Sequence, residues 1–128
     1  MVTKVTSGVK ISVETLYRNA LSNPQKNHYF FSYKITIENL TDCEVKLLKR
    51  HWQIFDSSGI YNEVDGDGVI GKTPSIKPGE SFVYESGCNL TSDIGTMYGN
   101  YVMEKTLDKT QFEVQIPEFL LIVPARLN

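Results

Sequence analysis

The sequence predicts an all-β protein, an antiparallel β-sandwich of the immunoglobulin or fibronectin type III kind. Apolar residues recur with period two over several segments, and no stretch sustains the 3.6-residue period of an amphipathic helix. Turn residues punctuate the chain about every ten residues, the rhythm of sandwiches and barrels. A length of 128 residues suits one ordinary domain with a single core, so residues 1–128 are expected to form one domain.

The elements follow in order. Val9, Ile11, Val13 and Tyr17 alternate with Lys10, Ser12 and Glu14, the pattern of a first strand with one buried face. Residues 18–27 are polar and carry Pro24, and read as a loop. Alternation resumes at Tyr29, Phe31, Tyr33, Ile35 and Ile37, the clearest strand in the chain. After the turn NLTDC, the run EVKLLKRHWQIF starts in one phase at Val45 and Leu47 and continues in the other at Leu48, Trp52 and Ile54. Such a switch implies a bulge near Leu47 and Leu48. DSSG closes a hairpin onto IYNEV, and Pro78-Gly79 turns the chain into a strand through Phe82 and Tyr84. TMYGNYVMEK and TQFEVQI are two further strands joined by TLDKT. The tail PEFLLIV is expected to add an edge strand, because Pro117 cannot donate to a central ladder.

Composition removes several function classes. With 13 Lys+Arg against 15 Asp+Glu, a formal net charge of −2, the chain lacks the basic excess used to bind nucleic-acid backbones, so no nucleic-acid partner is expected. The N-terminus alternates polar and apolar residues and no later segment is a membrane span, so no membrane insertion and a cytoplasmic location are expected. Cys43 and Cys88 are then expected to be free thiols.

VDGDGVIG contains G-x-G-x-x-G at Gly66, Gly68 and Gly71. A dinucleotide fingerprint needs its glycines between a buried strand and a helix, whose free amides meet the pyrophosphate. Here Pro74, Pro78 and Gly79 follow and forbid that helix, and Glu63, Asp65 and Asp67 repel phosphate. The same acids mimic the first half of an EF-hand loop, but Pro74 stands where the bidentate glutamate belongs. The glycines are read first as architecture, through positive φ or close backbone approach. Two ligand readings stay open beside it: an anion nest completed by Lys72, Arg50 and His51, and weak divalent-cation binding by Glu63, Asp65 and Asp67.

The remaining chemistry is sparse. His28 and His51 lack a third ligand at zinc spacing, ESGC around Ser86 lacks a nucleophile elbow, and no cofactor or enzymatic activity is expected. Arg50 shares its phase with Trp52 and Ile54, so its guanidinium is expected to find a carboxylate or an aromatic face near the core. Tyr98 and Tyr101 lie on opposite faces of one strand, so one of them is expected on an exposed surface suited to a partner.

RHWQIFDSSG, VDGDGVIG, PSIKPGESFVYESGCNL, GTMYGNY and IPEFLL occur in this order, and together closely resemble the ApaG family. The resemblance implies a fibronectin-type sandwich and places the glycine motif within the family pattern. Asp65 departs from that pattern, in which a basic or neutral residue is usual. The resemblance also implies a genetic link to cobalt resistance and magnesium efflux, proximity to a diadenosine-tetraphosphate hydrolase gene, and appearance of the module within larger eukaryotic proteins. A sandwich in water cannot itself carry an ion across a bilayer. The expected function is therefore a non-enzymatic protein-interaction module for an unidentified protein partner. The alternative is a small-ligand sensor that binds phosphate, pyrophosphate or a divalent cation at the glycine loop. An unpaired edge strand would also permit a homodimer.

Overall fold

The computed structural model describes residues 1–127, and it places nine strands in two antiparallel sheets that face one another rather than closing into a barrel. The first sheet contains β1 (Val2–Thr6), β2 (Val9–Tyr17), β3 (Tyr29–Asn39) and β7 (Ser81–Leu90), in the order β1-β2-β3-β7. The second contains β4 (Val45–Asp56), β5 (Ile60–Asp67), β8 (Ile94–Lys105) and β9 (Gln111–Ile122), in the order β5-β4-β8-β9, with the short β6 (Ser75–Ile76) also pairing with β4. This is the all-β sandwich that the alternation implied.

The period-two pattern converts directly into a core. Ile11 and Val13 of β2, with Phe31, Ile35 and Ile37 of β3, face the interior, while Lys10, Glu14 and Lys34 face away. Trp52 of β4 meets Tyr33 across the sheets at 5.5 Å between ring centroids and Phe119 edge-on at 5.9 Å. A hydroxyl–hydroxyl hydrogen bond of 2.5 Å joins buried Tyr84 of β7 to buried Tyr101 of β8, a polar link across the apolar layer. Both cysteines are free.

The phase switch in β4 is a bulge, with the register to β8 shifting between Leu47 and Lys49. Pro78-Gly79 forms the central pair of a turn in which Glu80 N donates to Lys77 O, with Gly79 at φ 80°. Two expectations are corrected. The chain starts its sheet earlier than Val9, because β1 pairs with β2 through a two-residue turn at Ser7 and Gly8, both at positive φ. β1 is almost wholly exposed, so no buried face marked it. PEFLLIV is not an added strand but the continuation of β9, whose register to β8 shifts between Met97 and Gly99. Consecutive buried Ile116 and Pro117 sit at that irregularity, which absorbs the missing amide proton. β9 is still the sheet edge.

Two buried polar side chains fix the ends of the sandwich. Asn39 donates through Nδ2 to Cys43 O at 2.9 Å and Ile76 O at 2.8 Å, and its Oδ1 accepts from Thr41 N and Thr41 Oγ1. One amide thereby ties the β3–β4 turn to β6. At the other end, the Asp56 carboxylate accepts from Ser58 N, Thr91 N, Thr91 Oγ1 and Ser92 Oγ. Burial opposes its charge, but these donors outweigh burial and hold its pKa at about 2, against an ordinary 3.8.

A carboxylate whose folded pKa is depressed stabilises the fold above its unfolded pKa and loses that contribution as pH falls through the folded value. Urea unfolding should therefore show about 2.5 kcal/mol of stability lost progressively between about pH 5 and pH 1 through Asp56. Asp56→Asn should be less stable at pH 7 and lack that component of the acid slope. Identical slopes for the two proteins would show that the Asp56 cluster does not carry it.

Candidate functional site

The glycine segment is the end of one strand and a tight hairpin. β5 runs through Gly66 to Asp67, and Val69 and Lys72 then form an isolated antiparallel bridge around Ile70 and Gly71. Both central residues have positive φ, 45° and 75°, as in a type I′ turn. Gly68, at φ 61°, lies so close to the returning chain that a Cβ would meet Lys72 O at 2.0 Å. Gly71 needs its positive φ but faces open space. Gly66 leaves room for Arg50, whose guanidinium would stand 2.6 Å from a Cβ there.

The loop amides are largely engaged within the protein. Gly68 N donates to Leu48 O, Val69 N to Lys72 O and Lys72 N to Val69 O. The loop presents carbonyls to Arg50 instead: Nη1 donates to Asp67 O at 3.1 Å and to Gly68 O at 2.9 Å. Arg50 is inward-facing, as its phase with Trp52 implied, but its partners are backbone carbonyls rather than the carboxylate or ring expected. These carbonyls satisfy donors without neutralising the charge.

The six residues of the anion reading divide between two faces. Arg50 and the glycines adjoin the space between the sheets, whereas His51 points to the outer face of the second sheet. There its Nδ1 contacts Asp65 Oδ1, and its Nε2 lies 3.9 Å from Glu63 Oε1. Lys72 is exposed on the far arm of the hairpin. Glu63, Asp65 and Asp67 alternate along the outer face of β5, opposite Gln53, His51 and Lys49 of β4. Gln53 and Tyr61 each donate to Glu63 Oε1, at 3.4 and 2.9 Å. Cross-strand partners thus explain the acidic row, and among the described residues no three His, Cys, Asp or Glu side chains converge as a metal site.

Arg50 also borders a cleft of about 300 Å³ between the free edges of β5 and β7. Its apolar wall includes Trp52, Val64, Val69 and Met97, and the first sheet contributes Tyr33, Tyr84 and Cys88. Burial raises the pKa values of both tyrosines and pushes the Cys88 thiol up to about 11, with the Asp56 charge adding to the latter. These groups are protonated at neutral pH, so they act as donors and packing rather than as anions. The phase shared by Arg50 and Trp52 was the sequence signal for this cleft; the contribution of β7 had none, because only tertiary packing brings it opposite. Tyr101 is buried, as one of that pair had to be, but Tyr98 on the outer face is half-buried rather than part of the exposed aromatic surface expected.

Comparison with known proteins places this geometry in a family. The model of the ApaG domain matches residues 19–105. Protein ApaG of Brucella abortus (strain S19) is 45% identical over 124 residues, covering 97% of this chain and 95% of that protein. The chain belongs to the ApaG family. A crystal structure of the putative ApaA protein from Bordetella pertussis superposes with a TM-score of 0.87 at 40% identity, covering 91% of this chain and 94% of that one. A more distant likeness, to the C-terminal domain of wzt, has a TM-score of 0.52 at 12% identity and covers 95% of this chain and 77% of that one; it extends to the fold alone. Among the described residues no helix is long and apolar enough to cross a membrane. In this ApaG-family chain, then, the glycine spacing builds a hairpin and a seat for Arg50.

The glycines should differ in cost accordingly. Gly68→Ala combines a positive φ with a backbone collision and should destabilise by more than about 3 kcal/mol, whereas Gly71→Ala, strained in φ alone, should cost about 1 kcal/mol. Ile70→Asn, which tolerates the left-handed region, should stabilise by about 1 kcal/mol. Urea midpoints of the three variants test the ranking, and equal costs at Gly68 and Gly71 would refute the collision.

Proposed function

We propose that this ApaG-family protein is a non-enzymatic interaction module that receives an extended segment of a partner protein along β5. The supporting observation is the exposure of that strand. β5 ends its sheet, and every residue in it is exposed except Gly66, which is half-buried. An unpaired edge is a template for strand addition, in which backbone hydrogen bonds give affinity and alternate side chains give specificity.

The chemistry of the strand narrows the partner. Ile60, Tyr61 and Val64 are exposed apolar residues, and exposed Phe55 of β4 lies opposite Tyr61. Glu63, Asp65 and Asp67 make the outer face acidic. A segment that alternates basic and apolar residues complements both features. A second copy of β5 would bring two acidic rows together, which opposes homodimerisation through this edge. Any link to cobalt resistance or magnesium efflux runs through such a partner.

The test uses Ile60→Lys with Val64→Lys on β5, against Val83→Lys at an exposed position on the other edge strand, β7. All should keep the strand signature by circular dichroism. Proteins captured specifically by the wild-type chain should be depleted about tenfold or more by the β5 pair and retained by Val83→Lys. A binder retained by the β5 pair would place docking elsewhere.

A further inference from the structure

Three features of the cleft beside Arg50 bear on what it accommodates. Its volume, about 300 Å³, equals that of about ten water molecules and lies at the small end of ligand pockets. Its lining is mainly apolar, with Trp52, Ile54, Val64 and Met97 on one wall. Its cation has no carboxylate partner among the described residues. Both hydrogen bonds of the guanidinium leave from Nη1, so among the described residues the Nη2 and Nε donors have no protein partner, and that edge of the fork matches a carboxylate in geometry.

Charge counting separates the candidate anions. One guanidinium balances a monoanion; a pyrophosphate would need further cations, and the amides of Gly68, Val69 and Lys72 are committed within the loop. The nearest acids, Asp65 and Asp67, belong to the opposite face of β5 from the Arg50 side chain. Tyr33 and Tyr84 add hydroxyl groups rather than charge. Apolar walls around a single cation fit a ligand with one anionic head and an apolar body.

Ile70 supplies an independent indication. It stands on the cleft border, 52% exposed, with φ 45°, a conformation in which a β-branched residue is strained. Folding gains nothing from an exposed isoleucine there that asparagine or glycine would not supply with less strain, and such residues concentrate where a surface is used.

We propose that the inter-sheet cleft is a binding site for a small carboxylic acid with an aromatic or branched apolar body, its carboxylate on Arg50 and its body between Trp52 and the Val69–Ile70 lip. This site shares Val64 with the β5 edge but does not require docking there.

Trp52 is the single tryptophan and borders the cleft, so its fluorescence reports occupancy directly. The probe is 3-phenylpropionate, compared with its neutral amide, inorganic phosphate and pyrophosphate, with calorimetry as a second readout. The wild-type chain should give a saturable signal with the acid and bind the amide about tenfold more weakly or less. Arg50→Gln should lose a similar factor. Ile70→Asp, compatible with the left-handed backbone but negative at the mouth, should weaken the acid more than the amide, while Ile70→Asn, which only removes the apolar lip, should weaken both by the same smaller factor. If Arg50→Gln fails to fold, the acid–amide comparison and the Ile70 pair decide the matter. A wild-type chain that gives no saturable signal, that binds acid and amide equally, or that prefers pyrophosphate would overturn the proposal.

Discussion

A guanidinium placed between two apolar sheets constrains everything around it. Arg50 follows the inward phase of β4, and burying an uncompensated charge there would cost several kcal/mol. The fold avoids that cost in three linked ways. Gly66 gives up its side chain so that the guanidinium can lie across β5. The chain beyond β5 turns its carbonyls toward Nη1. The edges of β5 and β7 stay apart, leaving the cleft through which solvent reaches the charge. The hairpin, the glycines and the cleft are consequences of one inward-facing cation.

Closure elsewhere makes that opening local. Asn39 satisfies four hydrogen bonds at one end of the sandwich, and Asp56 gathers four donors at the other. Fully satisfied buried polar groups rigidify the turns they join, whereas a half-satisfied group would destabilise them. Between those ends the Tyr84–Tyr101 bond holds the sheets in register beneath the cleft. Most of the cavity wall is therefore built on strands with fixed spacing, as a preformed site requires, and the hairpin adds the Val69–Gly71 lip.

Legibility in the sequence followed physical locality. Alternation in β2, β3 and β4 was readable because one face of each meets the core, and the Leu47–Leu48 bulge showed itself as a change of phase. β1 left little signal because its burial is slight, and the continuation of β9 past Pro117 was hidden because a bulge suspends the rule that proline ends a ladder. The acidic row looked like a ligand set until the register put His51 and Lys49 across from it. Arg50 was readable as inward-facing from phase alone. Its carbonyl partners and the opposing wall from β7 were not, since both depend on contacts between residues distant in sequence.

The glycine spacing shows why a motif carries meaning only through the geometry it enters. In a strand–loop–helix unit, G-x-G-x-x-G exposes amides at a helix N-terminus, and the site is anionophilic because its donors are free. Here the same spacing terminates an edge strand and turns through Ile70 and Gly71, so the hairpin engages the amides of Gly68, Val69 and Lys72 internally and directs the Asp67 and Gly68 carbonyls to a cation. Positive character migrates from the backbone to the Arg50 side chain, and from the outer surface to the space between the sheets. β5 consequently has two distinct faces: an acidic outer row with an open edge, and an inner side that frames the guanidinium. Val64 belongs to both, being exposed on the edge strand and part of the cleft wall. An occupant of the cleft and a strand added to the edge would meet at that residue, and any change one makes in the affinity of the other must be reciprocal.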